Sequence, residues 1–85
     1  MALNFTGNRI DDPARWRVAI QASDENGSVP CFVTHEALQD HVGVDVHPLE
    51  AFDAIAPQVQ HALRAKDAVR GRAADGSLTI GTADL

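Results

Sequence analysis

Hydrophobic and polar residues alternate along three stretches of the chain, which is the period-2 pattern of half-buried β-strands. Residues 15–22 predict one strand, with four residues on its core side: Trp16, Val18, Ile20 and Ala22. Residues 29–33 predict a second strand with Val29, Cys31 and Val33 facing the core. Asn26-Gly27 between them favours a hairpin, because both residues tolerate positive φ. Leu78-Thr79-Ile80 predicts a last strand.

Two helices are predicted between the second and the last strand. Thr34 is a helix N-cap, so the first helix runs from about His35 to Val42 and stops at Gly43. The second begins near Pro48 and fades near Gly71, with apolar residues at helical spacing: Leu49, Phe52, Ile55, Ala56, Val59, Ala62 and Leu63. Pro57 inside this stretch indicates either a kink or two abutting helices.

These elements predict a single α+β domain over residues 1–85, in the order β-β-α-α-β. We expect a small antiparallel sheet of three strands with both helices packed on one face. Residues 1–14 are interpreted as an N-terminal arm, in which Leu3 and Phe5 could add a short fourth strand at the edge. Pro30 lacks an N–H, which places the second strand at an edge or at a bulge.

The composition predicts a thin hydrophobic core. Fourteen of the 85 residues are alanine, whereas the chain has one Trp, three Phe and no Tyr. A domain of this size buries only about 60–65% of the surface that its unfolded chain exposes. Self-association, as in a homodimer, would add stability to such a core.

Charge and cysteine content restrict the environment and the partners. The formal charge is −5, so non-specific nucleic-acid binding is not expected of the surface as a whole. A single cysteine allows no internal disulfide, which is typical of a reducing compartment. The first eight residues lack the basic and apolar regions of a signal peptide, and no stretch approaches the ~20 apolar residues of a membrane-spanning helix. We expect a cytoplasmic protein without a membrane segment.

Four segments together resemble a known family. They are the strand Val18–Ala22, the run Val29–Leu38, the helical stretch Phe52–Ala65, and the end Leu78-Thr79-Ile80 with Asp84-Leu85. In these segments the chain is similar to small bacterial proteins of the domain of unknown function 1488 family, although Ile20 stands where an aromatic residue is more usual. The resemblance implies an α+β fold and a bacterial, cytoplasmic protein. It implies no activity, cofactor or catalytic residue.

Reactive side chains are few. Cys31 and His35 could form a thiol–imidazole pair, but Cys31 shares its strand face with two valines and is interpreted as a core residue. We expect His35 and His41 on a solvated helix face, and His47 at a helix start. Neither these nor His61 has the paired spacing of a zinc site, so no metal or cofactor is predicted.

Acidic and basic clusters are interpreted mainly as solvated surface. The adjacent acids Asp11-Asp12 and Asp24-Glu25 are expected in turns, not as opposed carboxylates in an active site. One basic cluster ends the second helix and is the candidate interaction patch: Arg64, Lys66, Arg70 and Arg72. Cations also stabilise a helix C-terminus, so the cluster has a purely structural explanation as well.

Three functions remain open. The leading hypothesis is a non-enzymatic module that binds an unidentified protein or a second copy of itself, through the long helix or the strand that carries Pro30. The alternative is a nucleic-acid-associated accessory protein that uses the basic cluster. The third is an enzyme or small-metabolite binder built on Cys31, His35 or His61. No catalytic, cofactor-binding or metal-binding residue is predicted.

Overall fold

The computed structural model describes residues 3–69 and 71–85, which fold as a four-stranded sheet with two helices packed on one face. In chain order the elements are β1 (Asn4–Asp12), β2 (Arg17–Asp24), β3 (Gly27–Thr34), α1 (His35–His41), α2 (Pro48–Val69) and β4 (Leu78–Ile80). Short 3₁₀ turns cover Pro13–Arg15 and Thr82–Asp84. The α+β class and the two helices are confirmed.

The stretch interpreted as an N-terminal arm contains the nine-residue edge strand β1. It pairs antiparallel with β2, and its register shifts between Phe5 and Arg9, where Gly7 adopts a φ of +90°. The possible fourth strand is therefore present and is longer than predicted. The order becomes β-β-β-α-α-β. The alternation of this segment was hard to detect because the charged residues Arg9 and Asp11 stand on the helix side, opposite Ile20 and Val18, whereas the aliphatic Ile10 stands on the other side.

The sheet is mixed and not wholly antiparallel. Strands β1, β2 and β3 are joined by antiparallel pairing, but β4 lies beside β3 in parallel, with Cys31 opposite Leu78 and Val33 opposite Ile80. The connection from β3 to β4 runs through both helices on one face, and such a crossover returns the chain in the same direction. The alternation of three residues in β4 carries no information on its direction.

Pro30 lies in the part of β3 that has only β2 as a neighbour. β4 pairs with Cys31, Phe32 and Val33, so the strand is a sheet edge before Cys31 and an interior strand after it. In the hairpin, Asp24 pairs with Gly27, and Gly27 alone takes the positive φ, at +123°. The turn therefore centres on Glu25 and Asn26, one residue earlier than the Asn-Gly signal implied.

The two helices begin where the sequence predicts. The Thr34 hydroxyl accepts a hydrogen bond from the Ala37 N–H at 3.1 Å, and α2 begins at Pro48. Within α2, Ile55 has φ −124° and ψ 20°, so the helical backbone is interrupted two residues before Pro57. The non-helical Ile55 divides α2 into two helical segments that meet at a kink, so the stretch shows both a kink and two abutting helices.

The core lies between the helices and one face of the sheet. Val18, Ile20, Val33 and Ile80 are almost fully buried there, against Val59 and Leu63 of α2. Among the described residues, no helix is long and apolar enough to cross a bilayer.

Candidate functional site

The face of the sheet that points away from the helices carries a row of residues across all four strands. Ile10 of β1 lies opposite Ala19 of β2, Ala19 lies opposite Phe32 of β3, and Phe32 lies opposite Thr79 of β4. Neighbouring residues such as Val18 and Val33 point to the buried side, so this row belongs to the opposite face. We call this surface, with the row Ile10–Ala19–Phe32–Thr79 at its centre, the open face.

Charged side chains border this apolar row. The Arg17 guanidinium lies over the Phe32 ring at 3.6 Å from its centroid, and Arg17 Nε is 3.5 Å from Asp12 Oδ2. Stacking on an aromatic ring and pairing with a carboxylate both restrict the guanidinium. The Arg17 guanidinium therefore covers part of the Phe32 ring, and the other apolar members of the row are Ile10 and Ala19.

Strand β1 brings the most exposed aliphatic residue of the sheet to the border of the open face. The side chain of Ile10 is 70% exposed, although it lies within a regular strand. Its neighbours point to the helix side and are held there. Arg9 binds the Asp53 carboxylate of α2 through Nε at 2.8 Å and a second nitrogen at 2.6 Å, and the Asp11 carboxylate lies 2.6 Å from His35 Nε2. The Arg9 contact also lowers the pKa of Asp53 below its ordinary value.

Two predictions are wrong at the corner between β1, β2 and α1. Trp16 does not face the core. It ends the first 3₁₀ turn with φ +54° and is 65% exposed, because the chain turns there before β2 begins. His35 is not solvated, since it is only 6% exposed and packs edge-on against the Trp16 ring at 5.6 Å. The His35 N–H also donates to the Trp16 carbonyl at 2.8 Å.

Cys31 is buried in the core as predicted. It is 1% exposed on the helix side of β3, and burial raises the pKa of its thiol to about 11. A thiol in such surroundings is almost entirely protonated at neutral pH and is a poor nucleophile.

Three of the four basic side chains that defined the candidate interaction patch, those of Arg64, Lys66 and Arg72, are engaged within the molecule. Arg64 donates to the Leu3 carbonyl from two nitrogens at 3.2 and 3.3 Å, and Lys66 donates to the Thr79 carbonyl at 2.6 Å. Arg72 lies 2.8 Å from Asp24 and 3.0 Å from Asp67. Arg70 lies outside the described residues. Whether this cluster binds a partner stays a prediction.

The described members of this cluster line two different surface depressions. Arg64 and Arg72 line a cleft between the β2–β3 hairpin and the end of α2. Lys66 lines a different, open groove of about 640 Å³ beside α2, together with His41, His61 and Leu85. The structure therefore does not bring Lys66 to the same surface as Arg64 and Arg72.

Of the paired acids, Glu25 lies in a turn as predicted, whereas Asp11, Asp12 and Asp24 lie in strands. Asp11 and Asp12 are in β1, and their side chains point to opposite faces of the sheet. Asp11 contacts His35, and Asp12 pairs with Arg17. Asp24 is at the end of β2, and its side chain is 7% exposed. The Arg72 guanidinium, followed by the Asn26 N–H, holds the pKa of Asp24 below its ordinary value. Within residues 3–69 and 71–85, no three His, Cys, Asp or Glu side chains converge as metal ligands.

The fold and sequence can now be compared with known proteins. The model of the family described as "Protein of unknown function (DUF1488)" matches residues 3–80. The chain belongs to the DUF1488 family. The resemblance seen in the strand and helix segments is thereby confirmed.

A solved structure of the DUF1488 family has the same fold. It is the crystal structure of a protein of unknown function from Shewanella loihica PV-4, which superposes with a TM-score of 0.80 at 11% sequence identity. The superposition covers 93% of this chain and 91% of that chain. No curated protein matches the sequence.

Sequence reasoning missed two surface features of this DUF1488 chain, the open-face row and the contact between His35 and Asp11. The open-face row combines one residue from each of four strands, so no local motif records it. The bond between His35 and Asp11 joins residues 24 positions apart. A usable signal was present in Arg9-Ile10-Asp11, where an aliphatic residue between two charges fits an exposed strand.

Proposed function

We propose that this protein is a non-enzymatic interaction module that associates with a second copy of itself through the strand side of the molecule. The observation that carries the proposal is the exposed Ile10 at the border of the open face, in a row whose other apolar members are Ala19 and Phe32. The helices cover the other face, where the core lies.

Energetic reasoning supports self-association. Removing apolar surface from water contributes about 25 cal/mol per Å², and exposed apolar rows with a polar border are typical of protein contact surfaces. A small domain whose core is built largely from Ala, Val and Leu gains stability when further exposed apolar surface, such as that of Ile10, is covered.

The chemistry of the described residues supports a non-enzymatic role. Cys31 is buried and protonated, and His35 is held against Asp11. The charges that nucleic-acid binding would use at Arg64, Lys66 and Arg72 are engaged by carbonyl and carboxylate oxygens of the same chain. These contacts favour the interaction module over the two other hypotheses.

Sedimentation velocity over a concentration series tests the proposal. We expect the weight-average mass to rise from the monomer towards the dimer as concentration increases. A Val69→Lys variant is the control, because Val69 is 83% exposed at the end of α2 and lies off the strand side. This variant should associate like the parent protein. A parent protein that stays monomeric at every concentration contradicts the proposal.

A further inference from the structure

The outer edge of β1 is available for strand pairing. Within residues 3–69 and 71–85, β1 has β2 on one side and no strand on the other, since it ends the sheet order β1-β2-β3-β4. An uncovered edge presents backbone N–H and C=O groups that pair readily with another strand. The register shift between Phe5 and Arg9 and the absence of an N–H at Pro13 confine regular pairing to the stretch between them.

We propose that two copies of the chain pair antiparallel along this edge, centred on Ile10, and so join two sheets into one of eight strands. The inference rests on the proposed function and specifies its geometry. An antiparallel pair with twofold symmetry is centred on one residue, which lies opposite its own copy. The three central residues compared within the regular stretch are Arg9, Ile10 and Asp11. The charges of β1 favour one of these three registers over the other two.

Only one of the three central registers avoids placing like charges opposite each other. Centring on Arg9 places two guanidinium groups opposite each other, and centring on Asp11 places two carboxylates opposite each other. Centring on Ile10 places Arg9 of each copy opposite Asp11 of the other, on the helix side of the sheet. Opposite charges across strands stabilise the pair, whereas like charges destabilise it.

The same register also covers exposed apolar surface. Ile10, which is 70% exposed, comes to lie beside its own copy on the open face. The row Ile10–Ala19–Phe32–Thr79 then continues across the twofold axis into the second copy. Charge complementarity and apolar contact therefore select the same occupant of the edge, a second copy of this chain.

Substitutions on the strand side distinguish edge pairing from face-to-face packing of two open faces. Ile10→Lys should raise the dissociation constant of the dimer, measured by sedimentation, at least about tenfold, because it places two cations opposite each other at the axis. A tenfold change corresponds to ~1.4 kcal/mol. Ala19→Lys is the matched control, since Ala19 lies one strand inward on the same face. It should leave an edge dimer nearly unchanged but disrupt a face-packed dimer. Circular dichroism verifies that both variants are folded.

Disulfide trapping tests directly which residue of β1 lies opposite its own copy. Ile10→Cys should form a covalent dimer under mild oxidation, because residues opposite each other in antiparallel strands have Cα atoms about 4.5–5.5 Å apart, within the range of a disulfide. Asn8→Cys should not, because in this register it lies opposite Asp12 and far from its own copy. The native Cys31 is 1% exposed and does not compete.

The outcomes separate this inference from the proposed function. Loss of the dimer in Ile10→Lys together with trapping by Ile10→Cys supports edge pairing. A dimer that resists Ile10→Lys and is lost in Ala19→Lys overturns edge pairing and leaves self-association intact. Trapping by Asn8→Cys without trapping by Ile10→Cys overturns the register. A parent protein that is monomeric throughout overturns both proposals.

Discussion

At the scale of single residues, burial and hydrogen bonding distinguish side chains that the sequence makes look alike. His35 and His41 begin and end the same short helix, yet His35 is 6% exposed and His41 is exposed. The difference arises because His35 lies at the start of α1, beside the end of β1 and the Trp16 ring, with its Nε2 atom 2.6 Å from the Asp11 carboxylate. His35 is therefore a structural link between β1 and α1.

Replacing the two histidines of α1 should have unequal effects. We expect His35→Ala to lower the free energy of unfolding by about 1–3 kcal/mol, because it leaves the partly buried Asp11 carboxylate without its partner. His41→Ala, on the same helix, should change it by less than about 0.5 kcal/mol. Urea denaturation followed by circular dichroism measures both, and equal losses would contradict the role assigned to His35.

At the scale of elements, a few ionic contacts connect parts of the chain that are distant in sequence. Arg72 joins the end of β2, through Asp24, to the last turns of α2, through Asp67. Arg9 joins β1 to α2 through Asp53. The charges near the end of α2 thus position the helix on the sheet, in addition to stabilising the helix C-terminus.

The contact between Arg72 and Asp24 predicts a loss of stability in acid. The pKa of Asp24 is lowered in the folded protein, so this contribution is present above the unfolded-state pKa, near 3.9, and is lost as pH falls through the lower folded-state pKa. Arg72→Met should reduce the loss of thermal stability on going from pH 5 to pH 2.5. The control is Arg15→Met, because Arg15 lies 3.8 Å from Asp12 and is 70% exposed. A melting-temperature series that is equally steep in Arg72→Met and in the parent protein would disprove the contribution.

At the scale of the whole molecule, the domain is a two-layer structure with one layer exposed on its outer side. The helices cover one face of the sheet, and the other face keeps an apolar row and a free β1 edge. The thin core and the uncovered surface have one common origin, which is that two helices in 85 residues cover only one face of a sheet. Association of two copies would extend the sheet without adding a layer.

Linkage between folding and association gives a prediction for the whole molecule. If the folded chain forms dimers and the unfolded chain does not, the melting temperature of the parent protein should rise with protein concentration. That of Ile10→Lys should stay constant. Differential scanning calorimetry at several concentrations measures the effect, and a constant melting temperature in the parent protein across the concentrations at which it dimerises would contradict the coupling.

Much of the fold could be predicted from local sequence. The alternation around Val18 and Val33, the Thr34 cap and the start of α2 at Pro48 depend on residues adjacent in the chain, and the structure confirms each of them. The burial of Cys31 followed from the same alternation. Trp16 was assigned wrongly because alternation alone does not reveal that the chain turns before β2.

The α+β class, the two helices and the core side of the central strands therefore followed from the amino-acid pattern alone, since periodicity and capping are local properties. Only the tertiary structure decided that β4 is parallel to β3, that β1 forms a long edge, and that His35 meets Asp11. It also assembled the open face from four separate strands and placed Lys66 on a different surface from Arg64 and Arg72. These outcomes depend on contacts between distant residues, and such contacts exist only once the helices have crossed from β3 to β4 and packed on one face of the sheet.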